Sequence, residues 1–401
     1  MSGEGHRVHA AGNPGVYIHV PFCVKKCNYC AFVSGPASEE RRAEYVDALI
    51  KEIMLASEGE VEGTYLTGGI KPQNIKCDTI FIGGGTPSLL TVSQIERILD
   101  TVRGVFDVTD DAEITMEANP ATLDKEALAG YLGLGVNRLS MGVQSMDDEV
   151  LATLGRIHTV DDVIRDYEAA REAGFNNINF DLMFGVPGTD VEGVVDGVQR
   201  VIDLGPEHVS YYSLQLEEGT KFWQDFENGQ FHEIPDEVDR EMYHRGRMLL
   251  KENGYKHYEI SNFAKPGFES RHNSKYWSMA DYYGFGLGAS SYVKGVRIMN
   301  TPDMPEYLAT IAGGRLPQVD IHVNSEHDDI SEAVFTGLRR NFGIKFADIL
   351  GSKEKFYEYY KEVIPALESF EETGHIIIDD EGFTLSNLGI DISNKIMALF
   401  V

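Results

Sequence analysis

Basic side chains and long apolar runs are both scarce in this chain of 401 residues. Lys and Arg together number 35, against 64 Asp and Glu, which gives a formal charge of −29. Nucleic-acid binding depends on clustered Lys and Arg, so this balance argues against a nucleic-acid partner. No apolar run approaches the roughly 20 residues that a membrane-spanning helix needs. The two absences together favour a soluble globular protein.

Cysteine is also scarce, and its placement is uneven. Three of the four cysteines, Cys23, Cys27 and Cys30, fall within eight positions, and the fourth is Cys77. Three clustered thiols with one distant thiol do not form a disulfide framework, and no secretory signal is recognisable. The chain is also long enough to bury its own core. We therefore expect a reducing, cytoplasmic location.

The spacing of the clustered cysteines, Cys-x3-Cys-x2-Cys, suits a metal centre. A cubane iron–sulfur cluster normally has four thiolate ligands, so three thiolates leave one iron open to an exchangeable molecule. A structural zinc site instead needs four protein ligands. Cys77 or His19 could in principle supply the fourth ligand, although the sequence has no second pair with zinc-site spacing.

Short β-branched runs alternate with amphipathic helical patterns through the first half of the chain. Capping sequences at Thr91 and Thr159 begin two of the helices, and a Gly-containing loop is predicted over residues 59–72. This alternation indicates an α/β fold with a parallel sheet, here a partial (β/α)6 barrel of the TIM type. The six predicted strands begin near Tyr17, Thr79, Glu113, Arg138, Asn177 and His208.

The pattern also predicts three regions. Residues 1–15 form a loose leader, residues 16–321 form the barrel with an extension, and residues 322–401 form a smaller C-terminal α+β domain. Within that domain we predict helices over residues 333–338, 357–372 and 389–400, and a hairpin over residues 376–385.

Polar residues follow several predicted strands, at the edge where a parallel barrel carries its function. A lone glycine there is ordinary turn chemistry, and a lone acid is often a helix cap. Their convergence on one face favours a binding site. The residues concerned are Gly84, Gly85, Thr86, Glu117, Gln144 and Asp181, and Arg156 enters from the loop before a helix.

The cysteine segment resembles a known cluster loop. The pattern runs Tyr17-x-His19-x-Pro21-Phe22-Cys23-x3-Cys27-x-Tyr29-Cys30, and it is similar to that of radical S-adenosylmethionine (SAM) proteins of the oxygen-independent coproporphyrinogen oxidase type. The resemblance implies a [4Fe-4S] cluster on Cys23, Cys27 and Cys30, with SAM on the open iron. It also implies an electron donor such as flavodoxin or ferredoxin.

The same resemblance implies roles for the strand-end residues. Gly84, Gly85 and Thr86 match the Gly-Gly-Thr-Pro turn that approaches the SAM amino group. Glu117 resembles the acid that binds the ribose hydroxyls. The remaining positions that match SAM contacts or pack beside the cluster and the adenine are Tyr17, Tyr29, Gln144, Arg156 and Asp181.

A second pattern, His272-Asn273-x-x-Tyr276-Trp277, resembles the signature of the haem-chaperone branch of this family. Oxidases of the family carry a further cysteine two positions past the third, where this chain has Phe32. The resemblance implies that the chain binds haem, with His272 as candidate iron ligand. It also implies transfer of haem to acceptors such as membrane-bound respiratory enzymes.

Other functions stay open from the sequence alone. The chain could be a radical SAM enzyme of the class C methylase or cyclopropanase type. A coproporphyrinogen III oxidase is disfavoured by Phe32. The C-terminal domain resembles the winged-helix-like domain of the family, which we expect to cover the barrel mouth as a lid.

Overall fold

The structure, a computed structural model, describes residues 12–57 and 75–401. Residues 1–11 of the predicted leader and the predicted loop over residues 59–72 lie outside the described residues.

A run of parallel strands forms the centre of the molecule. The strands are β1 (Gly15–Val20), β2 (Lys76–Gly84), β3 (Asp107–Ala118), β4 (Arg138–Gln144), β5 (Ile178–Phe184) and β6 (His208–Ser213). They pair in chain order, each parallel to the next. Most of their residues are buried, as expected for a parallel sheet with both faces covered.

Helices connect these strands and cover the outer face of the sheet. They are α1 (Glu39–Ser57), α2 (Val92–Val105), α3 (Lys125–Gly133), α4 (Asp148–Leu154), α5 (Val160–Ala173) and α6 (Val191–Leu204). The predicted capping boxes are present: Thr91 with Gln94 begins α2, and Thr159 with Asp162 begins α5. Each reciprocal pair satisfies N–H groups that the first turn of a helix leaves without partners.

The sheet extends beyond the six core strands on both sides. The next elements are α7 (Lys221–Glu227), α8 (Asp236–Glu252), β7 (Lys256–Glu259), β8 (Asn262–Ala264), α9 (Arg271–Trp277), β9 (Tyr282–Phe285), β10 (Ser290–Val293), β11 (Val296–Asn300), α10 (Met304–Ala312) and β12 (Gln318–Val323). In the described part the sheet has twelve strands in the order β12-β11-β10-β9-β1-β2-β3-β4-β5-β6-β8-β7. The predicted α/β class and partial barrel are confirmed.

The C-terminal region forms a second, smaller unit. Its elements are α11 (Glu326–Gly337), β13 (Ile344–Lys345), α12 (Phe346–Leu350), α13 (Lys353–Tyr359), α14 (Ile364–Glu372), β14 (Ile376–Ile378), β15 (Gly382–Leu385), α15 (Asn387–Asp391) and α16 (Ser393–Met397). The predicted hairpin is confirmed as the antiparallel pair β14 and β15, and β13 completes a three-stranded sheet. This unit has its own apolar core.

All three predicted C-terminal helices are wrong in extent. The helix predicted over residues 333–338 is the end of α11, which begins at Glu326. The helix predicted over residues 357–372 is two helices, because Pro365 in the first turn of α14 cannot donate an N–H to a preceding turn. The helix predicted over residues 389–400 is also interrupted. Ile392, between α15 and α16, has a φ of −120° and lies outside helical geometry.

One buried carboxylate joins α1 to the far side of the sheet. Glu52 is 2% exposed and accepts hydrogen bonds from the Gly286 N–H (2.9 Å), the Asn300 amide (2.6 Å) and the Tyr307 hydroxyl (2.6 Å). Burial raises the pKa of Glu52 to about 7, and the three donors oppose that shift. No local pattern predicts this contact, since the partners of Glu52 lie more than 200 positions away.

We expect Glu52→Ala to lower the free energy of unfolding by about 3 kcal/mol or more, because it leaves three buried donors unpaired. Urea denaturation followed by circular dichroism measures this loss. Glu44→Ala is the matched control, since Glu44 is exposed on the same helix and pairs only with Arg41. Equal losses in the two variants would contradict a structural role for Glu52.

Candidate functional site

A cavity opens at the carboxyl ends of the core strands. The loop after β1 forms one wall, and the ends of β2 to β6 form the floor. The cavity is lined by Cys23, Lys25, Lys26, Cys27, Tyr29, Cys30, Phe32, Ser34, Gly84, Gly85, Glu117, Ala118, Asn119, Ser140, Gly142, Gln144, Arg156, Asp181 and Tyr212. Residues far apart in the sequence therefore face one space, as the strand order requires.

Backbone hydrogen bonds hold the cysteine loop against the glycine turn after β2. The Gly85 N–H donates to the Val20 carbonyl at 2.8 Å, and the Thr86 N–H donates to the Phe22 carbonyl at 2.7 Å. A Cβ at Gly85 would lie 2.6 Å from the Phe22 carbonyl oxygen, so a larger residue would push the loop away. Glycine is needed here because two backbones approach closely.

The three loop thiols are partly exposed and line the same cavity. Among the described residues, no three His, Cys, Asp or Glu side chains converge closely enough to hold a single metal ion. A cubane does not require such convergence, because each thiolate binds a different iron of a larger cluster. The donor set therefore fits a cubane with three protein ligands.

The two residues that could have completed a zinc site are both engaged elsewhere. Cys77 is fully buried, its thiol donates to the Thr79 carbonyl, and burial raises its pKa to about 12. His19 has one ring nitrogen 2.9 Å from the Tyr17 hydroxyl and the other 2.9 Å from the Val33 carbonyl oxygen. Neither Cys77 nor His19 is among the residues that line the cysteine cavity.

Arg156 places a positive charge beside the cysteine loop. Its Nη1 lies 3.4 Å from the Cys27 sulfur, and its Nη2 donates to the Gly142 carbonyl at 2.7 Å and to the Asn119 side chain. Its buried Nε has no hydrogen-bond partner in the described structure. The guanidinium thus puts a buried positive charge on the cavity wall, of the sign that pairs with an anionic group such as a carboxylate.

Two acids face the same cavity. Glu117 accepts a hydrogen bond from the Gly84 N–H at 2.9 Å, and Asp181 accepts one from the Asn179 amide at 2.8 Å. Desolvation, followed by the charge of Asp181, raises the pKa of Glu117 to about 7. Desolvation also raises the pKa of Asp181. Such a pair can accept hydrogen bonds from neutral hydroxyl groups of a ligand.

Gln144 ends β4 in a strained conformation. Its φ is +67°, in the left-handed region that residues other than glycine rarely adopt. The Tyr212 hydroxyl, from β6, donates to its side-chain oxygen at 2.8 Å. Strain of this kind costs about 1 to 3 kcal/mol and concentrates at functional sites, so the side chain is held toward the cavity at a cost in stability.

The structure brings most of the predicted site residues together. Ten of them line the cavity: Cys23, Cys27, Cys30, Tyr29, Gly84, Gly85, Glu117, Gln144, Arg156 and Asp181. Thr86 lies just behind, with its hydroxyl 3.6 Å from the Cys23 sulfur. Tyr17 lies deeper and stacks on Phe81, with 6.1 Å between ring centroids.

Sequence reasoning missed Asn119 and Tyr212. Asn119 joins Arg156 to Thr86, and Tyr212 holds Gln144. Both follow or end a core strand, so the rule that directed attention to Glu117 could have found them.

His272 lies apart from the cavity. It is fully buried at the start of α9, with Nδ1 2.9 Å from the Thr79 hydroxyl and Nε2 2.9 Å from the Tyr276 hydroxyl. Burial lowers its pKa to about 3, so the ring is neutral. Thr79 pairs with Gly15 at the beginning of β1. The imidazole is therefore near the amino ends of the strands, and the cysteines are near the carboxyl ends.

The prediction that the C-terminal domain covers the barrel mouth is wrong for this structure. Within residues 12–57 and 75–401, those that line the cavity all belong to the part of the chain from Cys23 to Tyr212. The C-terminal domain instead packs on α9 and β7, where the Arg339 guanidinium lies 4.3 Å from the centre of a Trp277 ring and 3.4 Å from the Glu259 carboxylate.

None of the helices in the described part of the chain has both the length and the apolar character that a membrane span needs.

Comparisons with known protein families and with individual proteins agree on one family. The model of the Radical SAM superfamily matches residues 17–201. The "Heme chaperone HemW" of Bacillus subtilis is 36% identical over 393 residues, covering 96% of this chain and 98% of the relative. The protein of the same name from Escherichia coli is 39% identical over 280 residues, covering 69% of this chain and 70% of the relative.

A solved structure confirms the fold at lower identity. Coproporphyrinogen III oxidase (HemN) from Escherichia coli aligns with a TM-score of 0.82 and 23% identity, covering 99% of this chain and 91% of that chain. At this identity the likeness concerns the fold alone. The domain match and the full-length relatives, together with the cysteine cavity, show that this chain belongs to the HemW family of the radical SAM superfamily.

Proposed function

We propose that this chain is a haem-binding chaperone that carries a [4Fe-4S] cluster and SAM. The observation that supports it most is the convergence of ten predicted residues on one cavity in a chain that resembles curated haem chaperones over 96% of its length. It passes haem to acceptor proteins such as membrane-bound respiratory enzymes. It works in the cytoplasm and receives electrons from a carrier such as flavodoxin or ferredoxin.

Different residues of the cavity bind the cluster and the separate groups of SAM. Cys23, Cys27 and Cys30 hold the cluster, which when bound supplies an open iron and one-electron reduction. Arg156 pairs with the carboxylate of SAM through a guanidinium that already faces the loop. Glu117 accepts hydrogen bonds from the ribose hydroxyls. Gln144, Asp181, Tyr29 and the Gly84–Thr86 turn complete the SAM site, and Tyr17 supports the floor beneath it.

The haem site is proposed separately from the cluster. His272 is the candidate iron ligand, and in this structure both of its ring nitrogens are hydrogen-bonded. Binding of the haem iron by Nε2 would therefore require the hydrogen bond between Nε2 and the Tyr276 hydroxyl to break. Phe32 stands where oxidases of the family have a further cysteine, which favours haem handling over oxidation of a porphyrinogen.

We expect the triple variant Cys23→Ala, Cys27→Ala, Cys30→Ala to lose the cluster, because no other thiol lines the cavity. Iron and sulfide analysis after anaerobic reconstitution, with the visible absorption spectrum, measures the loss. Cys77→Ala is the control and should keep wild-type iron, since its thiol is buried away from the loop. Full iron content in the triple variant would refute the cluster assignment.

We expect Glu117→Gln to weaken SAM binding by about tenfold or more, because a neutral amide replaces a charged acceptor. In the wild type, affinity should rise as the pH increases through about 7, where Glu117 loses its proton. The variant should show a flatter profile. Calorimetric titration of SAM into cluster-loaded protein measures both effects.

Glu126→Gln, on the exposed face of α3, is the matched control for this titration and should bind SAM as the wild type does. An affinity of Glu117→Gln equal to that of the control would remove Glu117 from the site.

We expect His272→Ala to weaken the shift of the haem Soret band that accompanies binding, because it removes the proposed iron ligand. Tyr276→Phe is the informative partner variant, since it frees Nε2 and should retain the shift. Thermal unfolding of each variant shows whether it is folded. A folded His272→Ala protein with an unchanged haem spectrum would place the iron ligand elsewhere.

A further inference from the structure

Two of the segments that border the cysteine cavity contain no acids. No Asp or Glu lies between Glu4 and Glu39, or between Glu149 and Asp161, in a chain with 64 acids among 401 residues. Both segments border the cavity, through the cysteine loop and the turn after α4. The surface beside the thiols therefore differs in charge from the rest of this acidic protein.

That surface carries exposed apolar and basic side chains, which we call the rim face: Val24, Lys25, Lys26, Phe32 and Ile157. Val24 is 52% exposed, Phe32 66% and Ile157 47%. Val24 and Ile157 line one small hollow together with Lys25, which also borders the main cavity beside Phe32.

The two lysines of the rim face are available for a partner. Both are exposed, and neither has an ion-pair partner among the residues described. The Lys26 ammonium donates only to the Phe32 carbonyl, at 3.1 Å, which fixes the charge next to the exposed ring. Apolar contact area beside unpaired positive charge is typical of a surface that binds an acidic protein.

We propose that the rim face is the docking surface for an acidic protein that donates single electrons. The inference rests on the proposed function, since it concerns delivery of an electron to a cluster on Cys23, Cys27 and Cys30. The donor loses one electron and the cluster gains one. Val24, Lys25 and Lys26 lie between the first two cysteines, so a protein seated there contacts the loop that carries the thiols.

Charge decides where such a donor binds. With a net charge of −29, most of this surface repels an acidic partner and directs it to the rim face. The same face could in principle meet an anionic membrane. However, each lysine near such a membrane contributes only about 1 kcal/mol, so two lysines bind weakly against the repulsion of the remaining surface.

The test compares two double variants that change the net charge equally. Lys25→Glu with Lys26→Glu reverses the rim face, and Lys355→Glu with Lys361→Glu reverses two exposed lysines of the C-terminal domain. The probe is an acidic flavodoxin. Calorimetry gives its dissociation constant for each cluster-loaded protein, and stopped-flow absorbance gives the rate of cluster reduction by its reduced form.

We expect the rim variant to bind flavodoxin about tenfold or more weakly than the control variant at low salt, with a matching loss in reduction rate. The difference should shrink at high salt, where charges are screened. Reduction by dithionite should be equal in the two proteins, which separates docking from damage to the cluster. Phe32→Ser should weaken binding without this salt dependence.

Equal flavodoxin binding by the two double variants would overturn the proposal. So would unchanged flavodoxin binding combined with loss of binding to phosphatidylglycerol vesicles, since that result assigns the rim face to a membrane. Failure of the wild type to assemble a cluster would instead refute the proposed function, and iron analysis before the titrations distinguishes that failure from a failure of docking.

Discussion

The close approach of two backbones, the cysteine loop after β1 and the glycine turn after β2, is the constraint on which the site depends. Hydrogen bonds from Gly85 and Thr86 to the Val20 and Phe22 carbonyls fix the loop over the ends of the sheet. A side chain at Gly85 would collide with the Phe22 backbone. This contact places the thiols above Glu117 and beside Arg156, so the loop and the strand ends form one cavity.

The polar groups inside that cavity are held in an arrangement that costs the folded protein stability. Glu117 and Asp181 raise each other's energy when both are charged, and the buried Nε of Arg156 has no partner in the described structure. Gln144 adds backbone strain. Buried charges and backbone strain of this kind cost stability and concentrate at functional sites, which sets this cavity apart from the packed core around it.

The segment around His272 lies near the amino ends of the core strands, away from the cysteine cavity. The Arg271 and His272 N–H groups both donate to the Glu113 carboxylate at 3.0 Å, which fixes α9 at the amino ends of the strands. Trp277 at the other end of α9 meets Arg339 of the C-terminal domain. One short helix thus connects the barrel interior with the second unit.

The sequence alone determined the cysteine spacing and the alternation of strands and helices. It also placed Glu117, Gln144 and Asp181 at or near strand ends and Arg156 in the loop before a helix, because these are local patterns or follow from parallel topology. It could not determine contacts that depend on distant packing. The Glu52 hydrogen bonds, the bond between His272 and Thr79 and the contact of Arg339 with Trp277 all join residues separated by long stretches of chain. Side-chain periodicity does not encode such pairings. Only the tertiary structure could therefore decide that the C-terminal domain packs on α9 and does not line the cavity.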